Sequence, residues 1–461
     1  MAVGRPGAAA WAIGGGVGML AVTVVLAIIV VWSALSKPLD RHGVTPALFL
    51  MVVGFAVSVV APGVLDVSLE TVVAERIAEI ALVLLLFSDA TRIDLRVLRH
   101  QLGWPSRLLL IGLPLTILAG SGIAALVFPS MAFASAFLLA TMLAPTDAAL
   151  GQKVVADPRV PARVRQALDV ESGLNDGLAV PLFLVALSIA NAELEFGLSG
   201  VVAGSMAAQI GWGLTAGLVA GILGGLLFRA ADRRGWVARE WRQILPLAVA
   251  LLAYSIAQGL DGSGFIAAFA GGLAFGRLAG PSRAKVTVLS EAAGDLLAAI
   301  TWIAFGALAL ALALPYVTWQ VFLYAALSLT VVRMVPVALA LAGSGARAPT
   351  VAFVGWFGPR GLASLVFALL AADRGVPEGE TVLTTVVVTV AMSIILHGLT
   401  SAPLVDLYHR WYDANTPTDS TSGESVPTRL PRRRRQFPGM NGGDEGHGDD
   451  GHGDVVSPSG S

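Results

Sequence analysis

The chain has 461 residues, of which 56% are hydrophobic and only 13% are charged, and its formal net charge is −1. Soluble domains carry roughly 25% charged residues, so this composition excludes a soluble globular protein and indicates an integral membrane protein. The chain has no cysteine, which excludes disulfides, thiolate metal sites and cysteine nucleophiles.

Apolar stretches close to the ~20 residues that cross a bilayer recur along most of the chain, separated by polar breaks. The first stretch is too long for the core of a cleaved signal peptide, so we interpret it as a retained span. We expect thirteen transmembrane helices, over residues 11–35, 45–62, 71–89, 107–128, 131–150, 164–190, 199–228, 244–260, 264–279, 288–314, 317–341, 350–371 and 380–404.

Basic residues are distributed unevenly among the loops. Loops after odd-numbered stretches are rich in arginine and lysine, as in 92–107 and 229–242, whereas loops after even-numbered stretches, such as ADRGVPEGE, carry mainly acids. Short cytoplasmic loops are enriched in basic residues, so we expect the N-terminus outside and the C-terminus in the cytoplasm. The richness in Ala, Gly, Val and Arg suggests a bacterial inner membrane.

The third stretch ends in FSDATR, which places Asp89 at its cytoplasmic end. Two hypotheses stay open for this residue. Asp89 either lines the funnel through which an ion reaches the membrane interior or pairs with Arg92 at the interface.

The fifth stretch contains LAPTDAALG, in which Thr146 and Asp147 follow Pro145. The proline ring denies the carbonyl of Thr141 its helical partner, so we expect the helix to loosen there. Unwound carbonyls beside a carboxylate are suitable ligands for a hard monovalent cation, and broken helices in mid-membrane are typical of secondary transporters. The alternative is a simple proline kink near a loop, with Asp147 exposed.

The sixth stretch carries ESGLNDG, where Glu171 and Asn175, and likewise Ser172 and Asp176, are four residues apart. This spacing places all of them on one helix face, and Asp176 falls near the middle of the bilayer. Polar groups in hydrocarbon cost roughly 2.5–3.5 kcal/mol each, so such a patch indicates a functional site. The alternative is a structural acid whose hydrogen bonds are satisfied.

Two arginines complete the set of intramembrane charges. Arg333, in RMVPV of the eleventh stretch, needs an anionic partner, for which Glu171 is the candidate; the alternative is an arginine that reaches the interface. In the twelfth stretch, Gly358 and Pro359 predict a second break, and Arg360 there can balance the acids opposite.

From about Tyr412 the apolar pattern stops and Ser, Thr, Pro, Gly, Asp and Arg dominate. Such a composition cannot bury enough surface to fold. We therefore expect a transmembrane domain over 1–411 and a disordered cytoplasmic tail over 412–461.

With these residues assembled, the chain resembles the monovalent cation:proton antiporters of the NhaP branch, which includes the animal sodium/proton exchangers. PTD, then ESGLNDG, then RMVPV and a later PRG carry the resemblance by their order and spacing. It implies an all-α polytopic membrane protein of about thirteen transmembrane helices, with a dimerisation bundle and a core bundle that holds two crossed discontinuous helices. Members are commonly homodimers.

The resemblance also implies roles for individual residues. Asp176 resembles the carboxylate that binds Na⁺, K⁺ or a proton, with Asp147, Thr146, Ser172 and Asn175 completing the binding site. Glu171 and Arg333 resemble the buried ion pair of the family, and Arg360 resembles its arginine at the second break. Family members usually have an acid followed by glycine in the third span, so FSDATR leaves the role of Asp89 open.

A buried carboxylate that must be neutralised before it crosses the membrane can hold either a cation or a proton, which predicts antiport. Because Asn175 adds no charge and Glu171 is paired, we expect electroneutral exchange, with Na⁺ as the cation and K⁺ or Li⁺ as alternatives. We expect no cofactor, no nucleic-acid partner and no enzymatic activity. A passive cation channel and an intramembrane aspartyl protease that uses Asp147 and Asp176 are the other hypotheses, although neither acid lies in a Gly-x-Gly-Asp motif.

Overall fold

The computed structural model describes residues 8–41, 43–65, 71–93, 103–194, 200–280 and 283–416, together with Glu424. Helices make up almost all of these residues, and no strand occurs among them. The first eight helices are α1 Ala8–Arg41, α2 Pro46–Val60, α3 Thr71–Arg92, α4 Trp104–Val127, α5 Phe133–Met142, α6 Gln152–Ala156, α7 Ala162–Leu194 and α8 Gly200–Arg233. The others are α9 Trp241–Gly259, α10 Gly264–Ala279, α11 Arg283–Val286, α12 Val288–Tyr316, α13 Trp319–Leu341, α14 Ala348–Trp356, α15 Leu362–Asp373 and α16 Gly379–Asn415.

Each of the thirteen predicted apolar stretches contains helix. In the described part of the chain, seven helices are long and apolar enough to cross a membrane. The helices of the fifth and twelfth stretches are shorter, because each of these stretches contains a break. The number of helices that cross the bilayer stays a prediction.

One bundle contains α1 to α3 and α8 to α12. Its helices approach closely because glycines leave room for the backbone of a neighbour: a Cβ at Gly217 of α8 would overlap the carbonyl oxygen of Ala267 on α10. Likewise, a Cβ at Gly276 of α10 would overlap the carbonyl of Thr91 on α3. Small residues are the usual means of close helix packing in a bilayer, where lipid is as apolar as the side chains.

The other bundle contains α4, α5, α7 and α13 to α16. Within it, the chain is unwound after α5 and again between α14 and α15. The two unwound segments touch, because the backbone N–H of Asp147 donates to the carbonyl of Pro359 at 2.8 Å. The predicted pair of discontinuous helices is therefore confirmed, and their breaks lie against each other.

The last helix, α16, runs to Asn415, a few residues past the predicted start of the tail. Residues 417–423 and 425–461 lie outside the described residues, so the prediction of a disordered tail is not tested there. Within that segment, the described side chain of Glu424 is buried and accepts hydrogen bonds from Arg347 Nε at 3.0 Å and Thr350 Oγ1 at 2.9 Å. Charge pairing at the start of α14, rather than apolar burial, holds it there.

Candidate functional site

The carboxylate of Asp147 binds backbone N–H groups at both breaks. Its Oδ1 accepts from the N–H groups of Ala149 at 2.7 Å and Leu150 at 3.1 Å, and its Oδ2 accepts from the N–H of Leu362 at 3.0 Å. Leu362 begins α15, so this acid caps a helix N-terminus, where a negative charge is favoured. The side chain is partly buried at the break and is not exposed on a kinked loop, as the alternative interpretation would require.

Arg360 makes the complementary contact in the other direction. Its Nη1 donates to the carbonyl oxygens of Ala144 at 2.8 Å and Pro145 at 3.3 Å, just beyond the C-terminal end of α5. The residue is fully buried. A cation is favoured at a helix C-terminus, so Arg360 compensates the broken helix through carbonyl oxygens rather than through a carboxylate.

Two glycines make these placements sterically feasible. A Cβ at Gly358 would overlap the guanidinium of Arg333, and a Cβ at Gly361 would overlap the carboxylate of Asp147. The sequence pattern indicated Gly358 only as a helix breaker and gave Gly361 no role. The arrangement Gly-Pro-Arg-Gly, with a glycine on each side of the break, was the available signal.

Glu171 and Arg333 form a bidentate ion pair between α7 and α13. Arg333 Nη1 lies 2.5 Å from Glu171 Oε1 and Nη2 lies 2.8 Å from Oε2. Only 2% of Glu171 and 3% of Arg333 is exposed, so Arg333 does not reach the interface. Paired charges of this geometry satisfy each other where either alone would be costly.

The polar patch of α7 is joined to the first break by hydrogen bonds. Asn175 Nδ2 donates to Thr146 Oγ1 at 2.6 Å, and Thr146 Oγ1 lies 3.1 Å from Ser172 Oγ. In the described part of the chain, Asn175 Oδ1 and Asp176 Oδ1 are shielded from solvent and accept no hydrogen bond. Shielded oxygens without a donor fit the ligands that a hard cation requires.

Asp89 lies on α3, within electrostatic range of both Asp147 and Asp176. Arg92, one turn further along α3, forms an ion pair with Glu291 of α12. Both hypotheses for Asp89 stay predictions.

A pocket reaches this patch from the side of α6 and the start of α7. It is lined by Ala148, Gly151, Val155, Leu168, Asp169, Ser172 and Phe357. Ser172 belongs both to this pocket and to the polar patch. Six of the predicted residues therefore lie in one region: Thr146, Asp147, Ser172, Asn175, Asp176 and Asp89. Arg360 lies at the second break next to this region, and the Glu171–Arg333 pair joins α7 to α13.

Comparisons with known proteins identify the family of the chain. Residues 22–407 match the family model described as "Sodium/hydrogen exchanger, transmembrane". A K(+)/H(+) antiporter NhaP of Alkalimonas amylolytica is 24% identical over 77% of this chain and 60% of its own length. A low-affinity Na(+)/H(+) antiporter NhaS1 of Synechocystis is 29% identical over 55% of this chain and 46% of its own length. The match thus spans less than two thirds of the length of each of these relatives.

Among solved structures, the sodium proton antiporter MjNhaP1 from Methanocaldococcus jannaschii shares the fold. It superimposes with a TM-score of 0.68 at 19% identity, over 85% of this chain and 99% of its own. The apolar helices and the matched family make the chain a multi-pass integral membrane protein, and the family is one of transporters rather than enzymes. The match over most of its length shows that the chain belongs to the sodium/hydrogen exchanger family.

Proposed function

We propose that this protein exchanges a monovalent cation for a proton across the membrane, with Asp176 as the group that holds either one. The observation that carries the proposal is the shielded, donor-free Oδ1 of Asp176 on the helix whose Ser172 and Asn175 side chains contact Thr146 of the unwound segment. These oxygens come from an unwound segment and from the helix beside it, the arrangement in which secondary transporters hold their ions.

Exchange follows from the cost of moving a bare charge. A carboxylate in a low-dielectric environment is strongly disfavoured unless it is neutralised. Either a cation or a proton neutralises Asp176, so the loaded site can pass through the membrane and the empty, charged site cannot. Net transport of a cation in one direction then requires a proton to be carried back in the other.

The proposed stoichiometry is one cation for one proton. Asn175 beside Asp176 adds no charge, and the charge of Glu171 is matched by Arg333 within hydrogen-bond distance. Asp147 caps α15 and serves as a fixed partner of that helix end. Asp176 is then the carboxylate that exchanges a cation for a proton, so the cycle is electroneutral.

We propose Na⁺ as the cation, with K⁺ and Li⁺ as the alternatives. The Alkalimonas relative is named for K⁺ and the Synechocystis relative for Na⁺, so their names support either ion. We also propose a homodimer in a bacterial inner membrane, with the N-terminus outside, the C-terminus cytoplasmic and the tail after about residue 412 on that side. The alternation of basic and acidic loops supports this orientation.

The test is transport by the purified full chain in proteoliposomes that carry a pH gradient. The proposal predicts that Na⁺, K⁺ or Li⁺ dissipates the gradient and that an imposed membrane potential leaves the rate unchanged. A rate that follows the potential would contradict electroneutral exchange, and cation current without proton movement would identify a passive channel. The protease hypothesis is wrong, because the family is one of transporters.

A further inference from the structure

The second break removes one particular helical hydrogen bond. In a continuous helix the N–H of Arg360 would donate to the carbonyl of Trp356, four residues earlier. Helix α14 ends at Trp356 and α15 begins at Leu362, so this bond is not made across the unwound segment. The N–H of Arg360 is thereby left without its helical partner inside the protein, where an unpaired backbone group is costly, whereas the carbonyl of Trp356 still accepts from the N–H of Gly358 at 2.8 Å.

Two side chains of α16 bind the separated groups. Ser393 Oγ accepts from the N–H of Arg360 at 2.7 Å, and His397 Nε2 lies 2.9 Å from the carbonyl oxygen of Trp356. Ser393 Oγ and His397 Nδ1 lie 3.2 Å apart. Both residues are buried, and their spacing of four places them on the same face of α16.

The chemistry of these atoms fixes the direction of the two hydrogen bonds to the backbone of the break. A carbonyl only accepts, so His397 Nε2 carries the proton, and in the neutral ring Nδ1 is then an acceptor. The Ser393 hydroxyl, which accepts from Arg360, donates to that nitrogen. The carbonyl of Ser393 also lies 2.9 Å from Nδ1, and a protonated ring would donate to that carbonyl while Nε2 still donates to Trp356.

We propose that Ser393 and His397 are positioning residues that replace the missing helical bond from Arg360 to Trp356 with a relay of side chains. The relay fixes the width of the second break. It thereby holds the guanidinium of Arg360 on the carbonyls of the first break and the carbonyl of Pro359 on the N–H of Asp147. Neither residue touches the proposed ion, and each acts through the backbone of the break.

Amide hydrogen exchange on the full chain in detergent tests the relay directly. Ser393→Ala removes the acceptor of the Arg360 N–H, so exchange in the peptide that contains residues 357–361 is expected to speed up about tenfold. Ser401→Ala is the matched control, because Ser401 is a buried serine of the same helix whose hydroxyl donates to the carbonyl of Gly398 at 3.2 Å, away from the break. Exchange in that control should equal the wild type. Equal exchange in the Ser393→Ala and Ser401→Ala variants would overturn the proposal.

His397 gives a second pair of variants if Ser393→Ala does not fold. His397→Gln keeps an N–H donor for the carbonyl of Trp356 and His397→Leu does not, so only the leucine variant should speed exchange at the break. Equal exchange in the two variants would overturn the relay. The double variant Ser393→Ala/His397→Leu should exchange no faster than either single variant, because either change breaks the same relay.

The transport readout rests on the proposed exchange function. Ser393→Ala and His397→Leu are expected to raise the apparent KM for the cation about tenfold while His397→Gln restores it, because the break positions groups next to the site. If His397 had a purely structural role, its substitution would lower the amount of folded protein, and the glutamine and leucine variants would have the same apparent KM. If the wild type did not exchange ions at all, the proposed function would fail, while the amide exchange result would still decide the relay.

Discussion

Asp147 lies at the first break and binds the helix end at the second break, and Arg360 lies at the second break and binds the helix end at the first. The carboxylate of Asp147 accepts from the first N–H of α15, and the guanidinium of Arg360 donates to the carbonyls that follow α5. Both charges have the sign that the helix dipole favours at that end. The two breaks are thus held as one unit, and a change in either side chain should disturb both.

Removing the cap at Asp147 should destabilise the protein. Asp147→Ala leaves three backbone N–H groups without their acceptor, for an expected loss of about 1–3 kcal/mol, whereas Asp147→Asn keeps an acceptor oxygen and loses less. Thermal unfolding in detergent measures the difference. Equal melting temperatures for the two variants would contradict the capping role.

A methyl group at Gly361 should disrupt the site more than one at Gly173. The Cβ of Gly361→Ala would overlap the carboxylate of Asp147, so we expect a loss of about 1–3 kcal/mol and strongly reduced exchange. Gly173→Ala is the control on α7, where a Cβ meets nothing within 4 Å. It should be neutral or stabilising by about 0.5–1 kcal/mol. Normal transport by Gly361→Ala would show that the contact is not required.

Breaking the buried ion pair should cost more than removing it altogether. Arg333→Met leaves Glu171 buried without a partner, which costs about 3–5 kcal/mol. The double variant Glu171→Leu/Arg333→Met removes both charges and should recover much of that loss. Melting temperatures and the yield of folded protein test this, and a double variant less stable than both single variants would contradict it.

The dependence on pH should show competition between proton and cation. As pH falls, protons occupy more of the Asp176 carboxylates, so the apparent KM for the cation should rise, approaching about tenfold per pH unit where protonated sites dominate. The maximal rate at saturating cation should change much less. A maximal rate that falls while KM stays constant would indicate separate sites for the two ions.

Several features of the site could be predicted from sequence because each depends on nearby residues. Pro145 marks the first break, Gly358 and Pro359 mark the second, and a buried Arg333 demands an anion such as Glu171. The partners of Arg360 could not be found in this way, because they are backbone carbonyls that carry no residue-specific signal.

The contributions of Ser393 and His397 were also hidden. They lie more than thirty residues from the break and join it only through tertiary packing of α16. Glu424 was missed for a related reason, since its segment is polar and its burial depends on a contact with Arg347 rather than on an apolar pattern. Sequence pattern predicts elements and breaks, whereas hydrogen bonds between distant segments need the fold.

Proton release on cation binding tests the central role of Asp176 most directly. In weakly buffered solution, Na⁺ or K⁺ added to the purified protein should release about one proton per bound cation when the site starts protonated. Asp176→Asn should release none, while Asp261→Asn, the same change at an exposed turn, should behave as the wild type. Cation binding with undiminished proton release in Asp176→Asn would contradict the account.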